Sequence, residues 1–118
     1  MAEHNDLGKL GENLAAEYLI SKDYKILRKN YRFRKGEIDI VALNPEGKYT
    51  FFEVKTRKGG GDPEQAVNKK KIKLILETMD NYKYENKIED EVFLDILAIH
   101  VYDNKKPEIE HFEDVWLY

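Results

Sequence analysis

Three features of the sequence predict an α/β fold, a mixed β-sheet flanked by helices in the order α-β-β-β-α-β-β. Two stretches place apolar residues at helical spacing, and five others read as strands. The run Val92–Tyr102 (VFLDILAIHVY) is nearly continuous apolar and β-branched, the pattern of a strand covered on both faces. Finally, 118 residues leave room for one domain, 1–118, and no second core.

Leu7, Leu10, Leu14, Ala15, Tyr18 and Leu19 fall on a helical stripe between Asp6 and Ser21, with Asn5 or Asp6 as the N-cap. Tyr24–Arg34 (YKILRKNYRFR) mixes β-formers with bases and reads as a strand, closed by a turn at Lys35-Gly36. Residues 37–43 form the second strand, Asn44–Lys48 a turn, and Tyr49–Thr56 the third strand. A loop, Gly59–Pro63, leads into a helix from Glu64, with Val67, Lys71, Ile72, Ile75, Leu76, Met79 and Tyr82 along one stripe. After Val92–Tyr102, Glu108–Leu117 reads as a last edge strand.

Composition narrows the function. The hydrophobic class is 42% and aromatics are 12%, enough bulk for a core, while charged residues reach 36% against the usual ~25%. The absence of cysteine excludes a disulfide scaffold, a thiolate metal site and cysteine catalysis. The polar start Met1–Asp6 shows no secretory signal, and no apolar run reaches the ~18 residues of a membrane helix, so a cytoplasmic location is expected. The net charge of −3 hides an asymmetry: residues 1–76 hold 16 of the 20 Lys/Arg but 11 of the 23 Asp/Glu. The bases concentrate in Lys22–Lys35 and Lys55–Lys73. That distribution favours a nucleic-acid partner although the pI of about 5.7 does not. Basic runs that are merely solvated are the plain alternative.

The informative segment is Gly36–Arg57, GEIDIVALNPEGKYTFFEVKTR. Alternation puts Ile38, Ile40, Phe52 and Val54 on one face and Glu37, Asp39, Glu53 and Lys55 on the other. A five-residue turn at Asn44–Lys48 pairs Leu43 with Tyr49 and sets Asp39 opposite Glu53, and Glu37 opposite Lys55. Facing carboxylates repel, so one is protonated, or a base neutralises them, or they hold a cation. Oxygen ligands without cysteine or clustered histidine suit a hard ion, Mg²⁺ or Mn²⁺. Carboxylates, a hard cation and a lysine are what phosphodiester hydrolysis uses. The cation polarises the phosphorus centre and makes hydroxide available, and the lysine orients the water or stabilises charge. A cross-strand ion-pair lattice is the competing reading.

Glu12, Asp39 within GEIDI, and the triplet Glu53-Val54-Lys55 resemble the restriction-endonuclease-like PD-(D/E)XK superfamily, with Ile38 where the motif has proline. More closely, the chain resembles the YraN-like family of predicted endonucleases, through Gly8-x-x-Gly11-Glu12-x-x-Ala15, Asn30-Tyr31-Arg32, Gly36–Asp39, Phe52-Glu53-Val54-Lys55-x-Arg57, and Ala66-Val67 followed by Lys71. The family is similar in core to Holliday-junction resolvases. The resemblance implies a restriction-endonuclease-like fold and Mg²⁺- or Mn²⁺-dependent cleavage of DNA, with branched or flapped DNA as the expected substrate. It implies Asp39 and Glu53 as metal ligands, Lys55 as catalytic lysine and Glu12 as a further ligand.

Glu37 shares the site face and is either an accessory acid or the partner of Lys55. Arg32 and Arg34 belong to the first basic run; Arg57, Lys69, Lys70 and Lys71 flank the glycine loop, as phosphate contacts would. Lys71 alone of these sits at a core-facing spacing, directed toward the site. The glycines lack a following Gly-Lys-Ser/Thr, which excludes a P-loop. Asp95 interrupts an apolar strand and is expected to be structural, paired with an arginine or a backbone group. His4, His100 and His111 have no ligand spacing, and Trp116 and Tyr118 are expected to pack or bind a partner chain. Two other functions compete: a non-catalytic nucleic-acid-binding module, and an assembly protein whose acidic residues 77–118 bind a basic partner. A homodimer fits cleavage of two strands.

Overall fold

The computed structural model describes residues 2–59 and 69–115, and side chains from Asp6 onward. The chain runs α1 (Ala2–Ser21), β1 (Lys25–Phe33), β2 (Gly36–Leu43), β3 (Tyr49–Lys58), α2 (Lys69–Glu85), β4 (Phe93–Val101) and β5 (Glu108–Phe112), the element order expected. The strands form one sheet in sequence order, β1-β2-β3-β4-β5. Only β3 and β4 are parallel, as they must be when a helical crossover joins them.

Each helix covers one face. Ala15 and Leu19 of α1 pack on Ile40, Ala42, Phe52, Leu97 and Ile99. Ile72, Ile75, Met79 and Tyr82 of α2 pack on Tyr31, Ile38, Val41, Phe51 and Leu94. The interior strand β4 thus feeds both cores, which is why it reads as continuously apolar. The Asn44–Lys48 turn forms as expected: the Asn44 side chain accepts hydrogen bonds from the amides of Glu46 and Lys48, a local substitute for backbone pairing.

Several expectations are corrected. Helix α1 begins at Ala2, so Asn5 and Asp6 lie inside it rather than capping it; Ala and Glu at positions 2 and 3 are strong helix formers and extend it. Leu10 is 42% exposed and does not join the core stripe. Ile38 and Ile40 do not share a face: Ile38 packs with α2 and Ile40 with α1. Alternation breaks at Asp39, which stands opposite Asn30 between the pairs Lys29↔Ile40 and Tyr31↔Ile38. Asn30 has φ 55, so the pleat is irregular there. Asp95 does take the backbone group that was one of its two expected partners, the Asp114 amide donating at 2.8 Å, and its other oxygen meets His111 Nε2 at 2.7 Å where an arginine was the alternative. Strand β5 ends at Phe112. The glycine loop beyond Gly59, the helix start at Glu64 with Val67, and Trp116 and Tyr118 fall outside the described residues.

Two glycines set how closely the helices approach. A Cβ on Gly36 would stand 2.0 Å from Thr78 Oγ1 and 2.6 Å from the Leu74 carbonyl of α2. A Cβ on Gly11 would stand 1.7 Å from Thr56 Oγ1 of β3. Gly36→Ala is therefore expected to destabilise by about 1–3 kcal/mol, the scale of overpacking. Gly8→Ala, with nothing within 4 Å, should stabilise the helix slightly. Urea denaturation of the two variants checks this, and an unperturbed Gly36→Ala would mean that α2 sits farther from β2.

Candidate functional site

Strands β2 and β3 pair from Leu43↔Tyr49 as far as Ile40↔Phe52, the register expected from the five-residue turn. The next residues, Asp39 and Glu53, stand where the ladder stops. Instead of pairing with β2 backbone, the Val54 amide donates to Asp39 Oδ2 at 2.7 Å. The strands part because each keeps its other neighbour: β2 stays on β1 through Phe33↔Gly36, and β3 stays on β4 through Lys58↔Val101. The result is a fork in the middle of the sheet with two acids at its crotch.

Asp39 is 9% exposed and Glu53 6%, and the two carboxyls adjoin closely enough for Glu53 to raise Asp39. Burial, then the hydrogen bond and charge of Glu53, push the Asp39 carboxyl up to about 8, against the opposing pull of the Val54 amide and Lys71. At neutral pH the pair therefore keeps a proton that an ordinary aspartate would lose. Lys71 Nζ of α2 lies 3.2 Å from Glu53 Oε2. That oxygen is buried and accepts no well-formed hydrogen bond among the described residues, so the ion pair is its compensation. Lys55 follows two residues after Glu53 on the same side and contacts Lys71. Burial and that second ammonium lower the Lys55 pKa. Lys71 is raised despite the opposing effect of burial, by its contact with Lys55 and the charges of Glu53 and Asp39.

Of the sequence-derived candidates, Asp39, Glu53, Lys55 and Lys71 come together. Glu12 reaches the fork from α1: burial and the charge of Asp39 raise its pKa, while a hydrogen bond to Asn30 lowers it. Among the described residues no three acid or histidine side chains converge into a finished metal cluster, so Glu12 is a neighbour of the acid pair rather than a third member in contact. Glu37 does not face Lys55, because the ladder has ended; it takes Arg32 of β1 at 2.9 Å. It still lines a cleft of about 310 Å³ with Lys35, Gly36, Glu53, Lys71, Leu74 and Ile75. Arg34, Lys69 and Lys70 are exposed, and Arg57 is half-buried.

Asn30 was missed by spacing arguments. Its signal was its type, since asparagine tolerates a left-handed backbone where other residues resist it. There it breaks the pleat opposite Asp39 and offers its amide to Glu12. The donor set as a whole, two adjoining buried carboxyls with a third acid nearby and no thiolate, fits a hard divalent cation.

Residues 11–99 match the profile described as "Uncharacterised protein family UPF0102". A UPF0102 protein of Flavobacterium psychrophilum is 43% identical over 118 residues, covering 98% of each chain. One of Christiangramia forsetii is 42% identical over 120 residues, covering 100% of this chain and 99% of its own. One of Thermotoga maritima is 38% identical over 110 residues, covering 92% and 95%.

The retained proton has a thermodynamic sign. The Asp39 pKa is raised from 3.8 to about 8, so between those values the folded chain binds more protons than the unfolded one. Its contribution is fully present below pH ~4 and is lost as pH rises through ~8. In chelator, the denaturation midpoint of wild type is expected to fall across that window. Asp39→Asn, neutral throughout and still able to accept from Val54, should flatten the fall. Parallel curves for the two proteins would mean that Asp39 is ionised at neutral pH.

Proposed function

This chain belongs to the UPF0102, YraN-like family, and we propose that it is a metal-dependent endonuclease hydrolysing DNA phosphodiesters, with branched or flapped DNA as substrate. The observation that carries the reading is the contact between Asp39 and Glu53, two buried carboxyls at a fork in the sheet with Lys55 beside them. A structural ion-pair lattice would match each acid to its own base; here Lys71 pairs with Glu53, while Asp39 takes a backbone amide and has no ion pair among the described residues. Asp39 and Glu53, with Glu12 from α1, would hold Mg²⁺ or Mn²⁺. When bound, such an ion supplies charge neutralisation at the phosphodiester and a nucleophile at neutral pH.

The remaining steps belong to the chain. To serve as a ligand Asp39 would give up its proton to solvent. Lys55, half-buried and with a lowered pKa, holds its amine beside the reacting phosphorus, where it orients water or meets developing negative charge. The exposed bases of β1 (Lys25, Arg28, Lys29, Arg32), with Arg34 and Lys35 beyond it, provide a phosphate-binding edge next to the fork. Lys69 and Lys70 add bases at the described start of α2, and Arg57 one more at the end of β3. A homodimer would bring two such sites to two strands.

Two measurements test this. Calorimetric titration of Mn²⁺ should show a site that weakens at least ~10-fold in Asp39→Asn and that takes up metal with proton release between pH 6 and 8. In single-turnover cleavage of linear, flapped and four-way DNAs, Lys55→Ala should be slower by roughly 10²–10³, the scale for losing one preorganised electrostatic group. Its DNA affinity should change far less, since one base among many is lost. If neither protein cleaves any substrate with Mn²⁺ while both bind DNA, the fold serves as a binding module instead. Equal cleavage by both would remove Lys55 from the chemistry.

A further inference from the structure

Lys71 sits on one oxygen of the acid pair. Its ammonium lies 3.2 Å from Glu53 Oε2, on an oxygen that accepts no well-formed hydrogen bond among the described residues. It also touches Lys55, so two amines crowd two carboxyls in one small volume. Yet the two partners of the ion pair differ in freedom. The Glu53 side chain is 7% exposed and fixed in the central sheet, whereas that of Lys71 is 37% exposed and hangs from α2 into the 310 Å³ cleft on a flexible four-carbon tether. The cleft wall beside it carries Lys35 and Glu37, next to the basic edge of β1.

From this geometry we propose that Lys71 is a displaceable internal counter-ion of Glu53, exchanged for a divalent cation and then presented to a phosphate of the nucleic acid. The inference rests on the metal-site reading above. An ammonium and a divalent ion repel at this separation and cannot both neutralise the same oxygen. Glu53 cannot follow Lys71 outward, so the lysine is the group that moves. Once displaced from Glu53 it remains tethered over the cleft mouth, a positive charge beside the fork. Whatever phosphate then draws Lys71 outward also clears Glu53 for the metal. Metal and nucleic acid must therefore strengthen one another by the same factor, since binding free energies are reciprocal.

The test is Mn²⁺ binding to the full-length chain by calorimetry at fixed pH, in wild type, Lys71→Met, Lys71→Arg and Asp39→Asn. Lys71→Met should bind Mn²⁺ about 10-fold more tightly than wild type, because the competing cation is gone. Lys71→Arg, which keeps the charge, should stay within about twofold. A phosphorothioate duplex that resists cleavage should tighten Mn²⁺ binding to wild type but not to Lys71→Met. Circular dichroism verifies folding, with Lys71→Gln replacing the methionine variant if that one fails to fold. Asp39-dependent binding that is unchanged or weaker in Lys71→Met overturns the exchange alone. Equal tightening by the duplex in both proteins overturns the phosphate step. If wild type and Asp39→Asn bind Mn²⁺ alike, or neither binds, the metal-site reading falls and this inference with it.

Discussion

The hydrogen bond from the Val54 amide to Asp39 Oδ2 is the contact on which the candidate site depends. An antiparallel pair that simply stopped would leave a buried amide without an acceptor, at a cost of about 1–3 kcal/mol. The aspartate supplies that acceptor from its side chain, and the two strands can separate with no orphaned donor at Val54. Separation also requires that neither strand lose its other partner. Strand β2 keeps β1 and β3 keeps β4 well past the fork, so the five-strand order is a precondition of the site rather than a background to it. Moving Asp39 by one residue would leave Val54 unsatisfied and separate the acid from Glu53.

The helices complete the arrangement from opposite sides. Gly11 admits β3 close to α1, which brings the adjoining Glu12 within electrostatic reach of Asp39. Gly36 admits α2 close to β2, which brings Lys71 down on Glu53. Neither approach tolerates a side chain at those positions, so the same two glycines that tighten the core also set the distances between charges. Packing and electrostatics are thus linked through backbone contact, and a shift of either helix would be felt first as a change in the charge balance of the acid pair.

Much of this was legible in the sequence, for identifiable reasons. Element order followed from periodicity, and the β2–β3 register followed from the length of the Asn44–Lys48 turn, which brought Asp39 and Glu53 together before any coordinates. What failed was the extrapolation of perfect alternation. It put Ile38 beside Ile40 and Glu37 opposite Lys55, and both errors arise at one place, where Asn30 adopts φ 55 and the ladder ends. A pattern rule cannot see the end of a ladder, because the side chain that ends it satisfies the backbone through space. Likewise the core-facing spacing of Lys71 pointed it at the site, but its pairing with Glu53 needed the depth of α2, which Gly36 sets.

Asp95 provides the contrast that gives the fork its meaning. It is also buried, at 3% exposed, and sits in the neighbouring strand beside Phe52. Its two oxygens are both answered: one faces His111 Nε2 and the other takes the Asp114 amide. The Tyr18 hydroxyl meets the remaining ring nitrogen of His111 at 3.0 Å, so with the proton on Nε2 each group in the chain has a donor matched to an acceptor. This acid ties β5 and α1 to the sheet, with a partner on each oxygen. Asp39 and Glu53, at the fork of the same sheet, are also buried but lack that closure. Between them they hold one backbone donor, on Asp39, and one ion pair, from Lys71 to Glu53, while burial and the neighbouring acid push the Asp39 carboxyl up. On the proposed reading these are the carboxyls a cation would meet, and the difference from Asp95 lies in the buried Glu53 Oε2, which accepts no well-formed hydrogen bond among the described residues.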